Sequence, residues 1–270
     1  MPELPEVETT KIGITPWVVN KEITDVIIRE KRLRYKIPGN IKKQLINKRI
    51  ISVKRRAKYL LINFSHGSAI IHLGMSGSLR IIKTNEPARK HDHFDIVFID
   101  NTALRYRDPR RFGAFLWSEN PLSHRLLIKL GQEPLQEKFT GEYLWKEAKN
   151  RRITIKQFIM NANIVVGLGN IYASESLFLA GINPNRKANR ISKKRMERLA
   201  QAIKLILNDA IKAGGTTLQD FYMSDGSAGY FKQKLKVYGR KKYPCVSCEF
   251  PISMKVIGQR STFYCRKCQS

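Results

Sequence analysis

The spacing of hydrophobic and polar positions changes part-way along this chain. Up to Trp117, short β-branched runs predict strands over Glu22 to Arg29, Ile50 to Arg55, Tyr59 to Phe64, Ala69 to Leu73, Ser78 to Ile82 and Phe94 to Ile99. Turn residues such as His66-Gly67 and Asp100-Asn101 bound them, and only Thr9 to Val19 and Asn40 to Ile46 predict helices. Many short strands with so few helices predict a sandwich or barrel. Residues 118–137 carry Asn-Pro and Glu-Pro pairs and read as a domain crossing. Beyond them, apolar residues three and four apart predict helices over Gly141 to Ala148, Ile155 to Met160, Ile171 to Ala180 and Lys193 to Ile211. The last places Met196, Leu199, Ile203, Ile206 and Ile211 on one face. Gly167-Leu168-Gly169 separates two helices, Gly214-Gly215 ends the long one, and short β-like pieces follow from Leu235.

Charge narrows the partner. The 270 residues include 50 Lys+Arg against 22 Asp+Glu, a formal net charge of +28. Such self-repulsion points to a polyanion, nucleic acid first and an anionic membrane surface second. With 42% hydrophobic residues the chain is not a disordered basic tail. It has no apolar run long enough for a transmembrane helix, and MPELPEVETT lacks a signal-peptide core, which predicts a cytoplasmic protein.

The four cysteines form two knuckles, Cys245-Val-Ser-Cys248 and Cys265-Arg-Lys-Cys268, with 16 residues between them. Two Cys-x-x-Cys pairs at this separation fit a tetrahedral thiolate site for one zinc ion. The competing reading, a redox dithiol, uses one such motif in a βαβ setting. Four protein ligands close the coordination sphere, so the metal is structural and must supply folding free energy to a ribbon too short for its own core. Lys232, Lys234, Lys236, Arg240, Lys241 and Lys242 precede the first knuckle and Arg260 lies between the two, a distribution suited to a DNA backbone.

Pro2 follows the initiator Met, and trimming of Met1 leaves a free secondary amine. Condensed with an aldehyde-level carbon such as a sugar C1′, that amine has no second N–H to lose and stays a cationic iminium, an electron sink for eliminating phosphate. Most proteins with Pro in second position make no use of it.

Seven features in order, MPELPEVE, RRAKYLL at Arg55 to Leu61, HLGMSG at His72 to Gly77, DPRRFG at Asp108 to Gly113, VGLGNIYASE at Val166 to Glu175, GGTTLQDF at Gly214 to Phe221 and the cysteine ribbon, resemble bacterial formamidopyrimidine-DNA glycosylases. The resemblance spans essentially the whole chain. It implies an α+β multidomain protein: an N-terminal β-sandwich catalytic domain over 2–120, a linker over 121–137, a helical helix-two-turns-helix domain over 138–231 and a zinc-ribbon finger over 235–270. It also implies a monomer that acts on double-stranded DNA containing an oxidised purine or abasic site, with no cofactor beyond zinc.

The residue roles it implies are specific. Pro2, Glu3, Lys58 and Arg260 form the catalytic set: Pro2 attacks C1′, Glu3 handles protons at the sugar and leaving base, Lys58 faces the lesion phosphate and Arg260 grips the backbone. Glu6 supports them. An enzyme that extrudes a nucleotide must refill the gap, and Met75, Arg110 and Phe112 match the family's intercalating positions. His91, Arg111, Lys156, Asn170 and Tyr238 are expected on phosphates, Asn170 at a helix N-terminus. His91-Asp92-His93 is read as phosphate-binding or structural, not as a second metal site. Lesion choice is assigned to loop 216–231, in which Thr217, Gly226 and Gly229 act through their backbone.

Endonuclease VIII, for oxidised pyrimidines, is the sister reading, but it usually begins Met-Pro-Glu-Gly-Pro and lacks the loop, whereas this chain has Leu4 and keeps it. A non-catalytic zinc-ribbon DNA-binding protein is the reading from another class; it would be expected to have changed Pro2, Glu3 or Lys58, and all three are present. The chain departs from the family at Lys242-Tyr243, where Gly and a polar residue are common, and at Asn161-Ala162, where Asp and a polar residue are usual.

Overall fold

In the computed structural model, residues 2–214 and 235–270 are described. They divide into two compact units, residues 2–128 with 213–214, and residues 129–212 with 235–270. The division falls between Ile128 and Lys129, and the cysteine ribbon belongs to the same unit as the helices.

The first unit opens with helix α1, Leu4–Val18, five residues earlier than the apolar spacing predicts. Pro5 reads as a breaker, yet a proline in the first helical turn loses no intrahelical hydrogen bond. A capping box sets the start, with the Glu6 carboxylate accepting the Glu3 N–H at 2.8 Å. After β1 (Ile23–Ile28) and a short α2 (Ile41–Leu45) come β2 (Ser52–Arg56), β3 (Tyr59–Phe64), β4 (Gly67–His72), β5 (Ser78–Lys83), β6 (Asp92–Phe98), β7 (Thr102–Arg107) and β8 (Ala114–Ser118). They form two antiparallel four-stranded sheets in the orders β1-β6-β7-β5 and β2-β3-β4-β8. Val26, Phe94, Ile96 and Leu104 from one sheet and Leu60, Ile62, Ile71 and Phe115 from the other share one buried core, the arrangement of a β-sandwich.

Strands β7 and β8 are absent from the predicted set, although β8, AFLWS, is itself an apolar run. The reason in β7 is Arg105, a buried guanidinium directly opposite Asp95 in the β6–β7 register and bonded to both its carboxylate oxygens at 2.9 Å. Bidentate pairing compensates the desolvation, so a strand that reads as polar lies inside the sandwich.

In the second unit, α3 (Gly141–Ala148), α4 (Ile155–Ile159), α5 (Asn170–Leu179) and α6 (Lys193–Lys212) surround their own core, with α6 against both α3 and α5. Met196, Leu199, Ile203 and Ile206 of α6 are buried, with Leu207 and Ala210 completing the stripe near Ile211. Thr154 caps α4 by accepting the Gln157 N–H. The ribbon adds the antiparallel hairpin β9 (Ser253–Ile257) and β10 (Arg260–Tyr264). Among the described residues no helix is long and apolar enough to cross a membrane.

Candidate functional site

In the first unit the capping box places buried Pro2 and Glu3 at the mouth of α1, which packs on β2, β3 and β5. Lys58 lies beside Ala57 in the two-residue turn between β2 and β3. Ala57 has φ 55°, a region unfavourable for a residue with a Cβ. Arg55 holds this turn, donating to the Ala57 carbonyl at 2.9 Å and to Glu8 of α1 at 2.6 Å. Burial opposes the charge on Glu8, but hydrogen bonds from Lys11 and Arg55 keep its carboxyl below the usual range. Helix α1, whose start follows Pro2 and Glu3, and the turn that carries Lys58 are thereby tied by one ion pair.

Two further loops meet in this unit. The Gly74–Gly77 turn carries Met75, half-buried, and the loop from Asp108 to Gly113 carries Arg110, Arg111 and Phe112, all exposed. Gly74 has φ +67°, and a Cβ there would lie 2.5 Å from the Phe112 backbone, so only glycine lets the loops touch. The Arg110 guanidinium stacks 4.8 Å from the Phe112 ring centroid, and that ring is 45% exposed. A large aromatic held at a loop tip under a cation is a poor core residue and a suitable wedge. Arg111 pairs with Glu30 at 3.1 Å. His91 has φ 76° and lines a cavity with Arg29, Arg89, Lys90 and Arg111.

In the second unit, Lys156 is only 1% exposed. Its ammonium donates to the Ser261 carbonyl at 3.2 Å and to the Thr262 hydroxyl at 2.6 Å, and Asn170, first residue of α5, donates to the same Ser261 carbonyl at 2.9 Å. Both side chains anchor the β9–β10 hairpin next to exposed Arg260. The Tyr238 ring meets Phe263 edge-on at 5.1 Å. Thr217, Gly226, Gly229 and the rest of the expected recognition loop lie outside the described residues.

The cysteines converge. Their sulfur atoms all lie within 4.8 Å of one another, Cys245 to Cys268 at 3.8 Å and Cys248 to Cys265 at 3.5 Å. A tetrahedron with metal–sulfur bonds of about 2.3 Å has edges of about 3.8 Å, so the four thiols fit one such ion. The Ser247 and Cys268 amides point at Cys245 and Cys265 sulfurs, as knuckle turns do. At the departure Lys242-Tyr243, Lys242 has φ 69° and donates to the Ile252 carbonyl at 2.9 Å: the turn a glycine would favour is kept, at the expense of some backbone strain.

The sequence pattern of the formamidopyrimidine-DNA glycosylase N-terminal domain matches residues 1–115, and that of the formamidopyrimidine-DNA glycosylase H2TH domain matches residues 130–222. The chain belongs to the formamidopyrimidine-DNA glycosylase family. The formamidopyrimidine-DNA glycosylase of Nitrosococcus oceani is 53% identical over 270 residues, covering 100% of both chains. A Lactococcus lactis Fpg mutant solved with DNA containing Fapy-dG has a TM-score of 0.92 at 32% identity, covering 100% of each chain. Wild-type Lactococcus lactis Fpg (MutM), solved with DNA containing an oxidized pyrimidine, has a TM-score of 0.91 at 32% identity with the same coverage.

In this glycosylase two polar residues held largely away from water stand out that reading the sequence overlooked. Glu175 is buried in α5 and accepts the N–H groups of Lys236, Val237 and Tyr238 at 2.8, 2.9 and 2.8 Å, which fixes the turn leading into the ribbon. Burial pushes its pKa up, against the three amides that favour its ionised form. The signal was present in VGLGNIYASE, an acid inside an otherwise apolar helical stretch.

His72, at the end of β4, is the other. Its Nδ1 accepts the Gly74 N–H at 3.0 Å, so its remaining proton sits on Nε2. Burial, then the nearby cations Lys58 and Arg34, pull its pKa down to about 4. The unfolded chain therefore takes up this proton first. Stability from His72 is complete above about pH 6.5 and is lost progressively down to about pH 4, by at most about 3 kcal/mol. Urea midpoints across that window should fall more steeply in the native protein than in His72→Asn; parallel curves would refute the assignment.

Proposed function

We propose that this glycosylase removes oxidised purines from duplex DNA through Pro2 and then cleaves the strand. The activity is that of a bifunctional DNA glycosylase and abasic-site lyase in base-excision repair, and the residue assignments are our reading. The observation that carries it is the grouping, in one unit, of a buried N-terminal Pro2-Glu3 pair, a Lys58 turn braced to the same helix, and an exposed Arg110–Phe112 wedge.

The chemistry follows from the amine. Neutral Pro2 attacks C1′, the glycosidic bond breaks, and its electron pair leaves on the base with a proton handled by Glu3. The Pro2 nitrogen then loses its proton, Glu3 protonates the ring oxygen O4′, and the C1′–O4′ bond breaks, opening the sugar to a C1′ iminium that makes the C2′ protons acidic. Loss of one drives β-elimination of the 3′-phosphate, and δ-elimination of the 5′-phosphate follows, leaving a one-nucleotide gap flanked by phosphates. Lys58 lies beside the lesion phosphate, where its charge stabilises the developing anion. Extrusion costs a few kcal/mol of stacking and pairing. Phe112 and Met75 refill the stack, and the planar donors of Arg110 serve the orphaned base. His91 and Arg111 of the first unit and Asn170, Tyr238 and Arg260 of the second take backbone phosphates. Lys156 supports Arg260 from beneath the hairpin, with a phosphate in reach once DNA is bound. Loop 216–231 reads the everted base. The ion held by the four cysteines is zinc and structural, and the enzyme works as a monomer in the cytoplasm.

A second reading, preference for oxidised pyrimidines, is favoured by one observation: a relative has been solved with such a lesion. Cleavage rates on 8-oxoguanine and thymine glycol duplexes separate the two. Faster cleavage of 8-oxoguanine is expected, and faster cleavage of thymine glycol would replace the purine assignment.

A further inference from the structure

Asp108 has 0% exposure, and no cation is hydrogen-bonded to its side chain among the described residues. Removing a carboxylate from water costs several kcal/mol unless its oxygens are fully satisfied. Four donors satisfy this one. Oδ1 accepts the Ser76 hydroxyl at 2.7 Å and the Arg110 N–H at 3.3 Å, while Oδ2 accepts the Gly113 N–H at 2.8 Å and the Tyr106 hydroxyl at 3.1 Å. The backbone of the same residue is also held: its N–H donates to the His91 carbonyl at 3.1 Å, and its carbonyl lies 2.7 Å from His93 Nε2.

These partners come from separate stretches of chain. Ser76 belongs to the turn that carries Met75, Arg110 and Gly113 bracket the Phe112 loop, Tyr106 ends β7, and His91 and His93 lie at the start of β6. The loops are pressed together as well. A Cβ on Gly77 would meet the Tyr106 hydroxyl at 2.6 Å, and one on Gly113 would meet the same hydroxyl at 1.7 Å and the His72 carbonyl at 2.6 Å. Only an acceptor-only group with two oxygens suits these donors. An amide in its place would turn an NH2 toward either the Gly113 or the Arg110 N–H, setting donor against donor.

We propose that Asp108 is a positioning residue that locks the Met75 turn and the Arg110–Phe112 loop into one rigid wedge, so that the gap left by the extruded nucleotide is filled in a single step. The inference rests on the base-extrusion reading above and adds the group that sets its geometry. A preorganised wedge loses little conformational freedom on insertion, whereas two independent loops must each be ordered by the DNA.

The test compares Asp108→Asn with the native protein on three substrates: duplex with a tetrahydrofuran abasic analogue, duplex with 8-oxoguanine, and single-stranded DNA with a preformed abasic site, which has no stack or partner base to restore. Affinity for the first and excision of the second are expected to fall about tenfold or more, while borohydride trapping on the third stays within about threefold. The ratio of excision opposite cytosine to excision opposite adenine should also move toward unity, because Arg110 no longer meets the orphaned base in a fixed pose. Equal losses on duplex and single strand, or no loss on duplex, would overturn the proposal. Ser76→Ala keeps the carboxylate and its other three donors but removes its bond to the Met75 turn, together with the 3.2 Å bond from the Arg110 N–H to the Ser76 hydroxyl. If Asp108→Asn fails to fold, a smaller duplex-only loss in Ser76→Ala supports the proposal and its absence refutes it. Native protein that traps nothing on any substrate would instead remove the Pro2 reading.

Discussion

Borohydride is expected to trap the native protein covalently on 8-oxoguanine duplex DNA, and retention of Met1 or an N-terminal tag to reduce trapping and strand cleavage by at least about 10³-fold. The structural reason lies in the first turn of α1. Pro2 and Glu3 are buried, and the Glu3 backbone is pinned by Glu6, so the amine has one presentation. A residue added before Pro2 converts the amine to an amide, without a nucleophilic lone pair, and must also be fitted into an enclosed site. Denaturing mass spectrometry of the trapped complex should place the adduct on the N-terminal peptide. Full cleavage by a protein whose blocked amine is verified intact would move the nucleophile elsewhere.

Removing the metal is expected to have the second-largest effect. The apolar cluster under the ribbon is small, Phe178 of α5 with Val237, Cys245, Ile252 and Cys265, and two of those five are cysteines of the four-thiol cluster. Metal binding in such segments contributes on the order of 10 kcal/mol or more. Its loss should release the β9–β10 hairpin, and with it Arg260 and the carbonyl that Lys156 and Asn170 share. Elemental analysis of the native protein should find about one zinc per chain. Stripping by a strong chelator, or Cys248→Ser, should lower duplex affinity by at least about tenfold while the helical circular dichroism persists, since α3, α5 and α6 pack on one another. Unchanged DNA affinity in verified metal-free protein would show that the ribbon does not present the backbone grip.

How much could be read in advance varied with the physics of each element. The strands β1 to β6 and the helices of the second unit are apolar on one face, and their periodicity declares them. The cysteines declared themselves too, because metal geometry constrains spacing within each knuckle. Strand β7 did not, since its stability rests on Arg105 meeting Asp95 across the sheet, a pairing between residues ten positions apart that periodicity does not register. The start of α1 was hidden by Pro5, whose helix-breaking tendency is harmless in a first turn.

In the candidate sites of the two units, the sequence by itself determined the chemical parts: the prolyl nitrogen of Pro2, the cations at Lys58, Arg110 and Arg260, the aromatic ring of Phe112 and four thiols. Each is a property of one side chain or one short motif. Only the tertiary structure decided which groups brace them. Asp108, Glu8 and His72 carry no local mark of their roles, and Glu175 only that of an acid in a largely apolar helical stretch, because a polar residue held away from water is defined by the donors and charges around it, and those arrive largely from other parts of the chain. Lys156 shows the same limit from the other side. Its charge was legible, but its burial beneath Ser261 and Thr262, which makes it an anchor for the Arg260 hairpin, depends on a contact spanning more than a hundred residues.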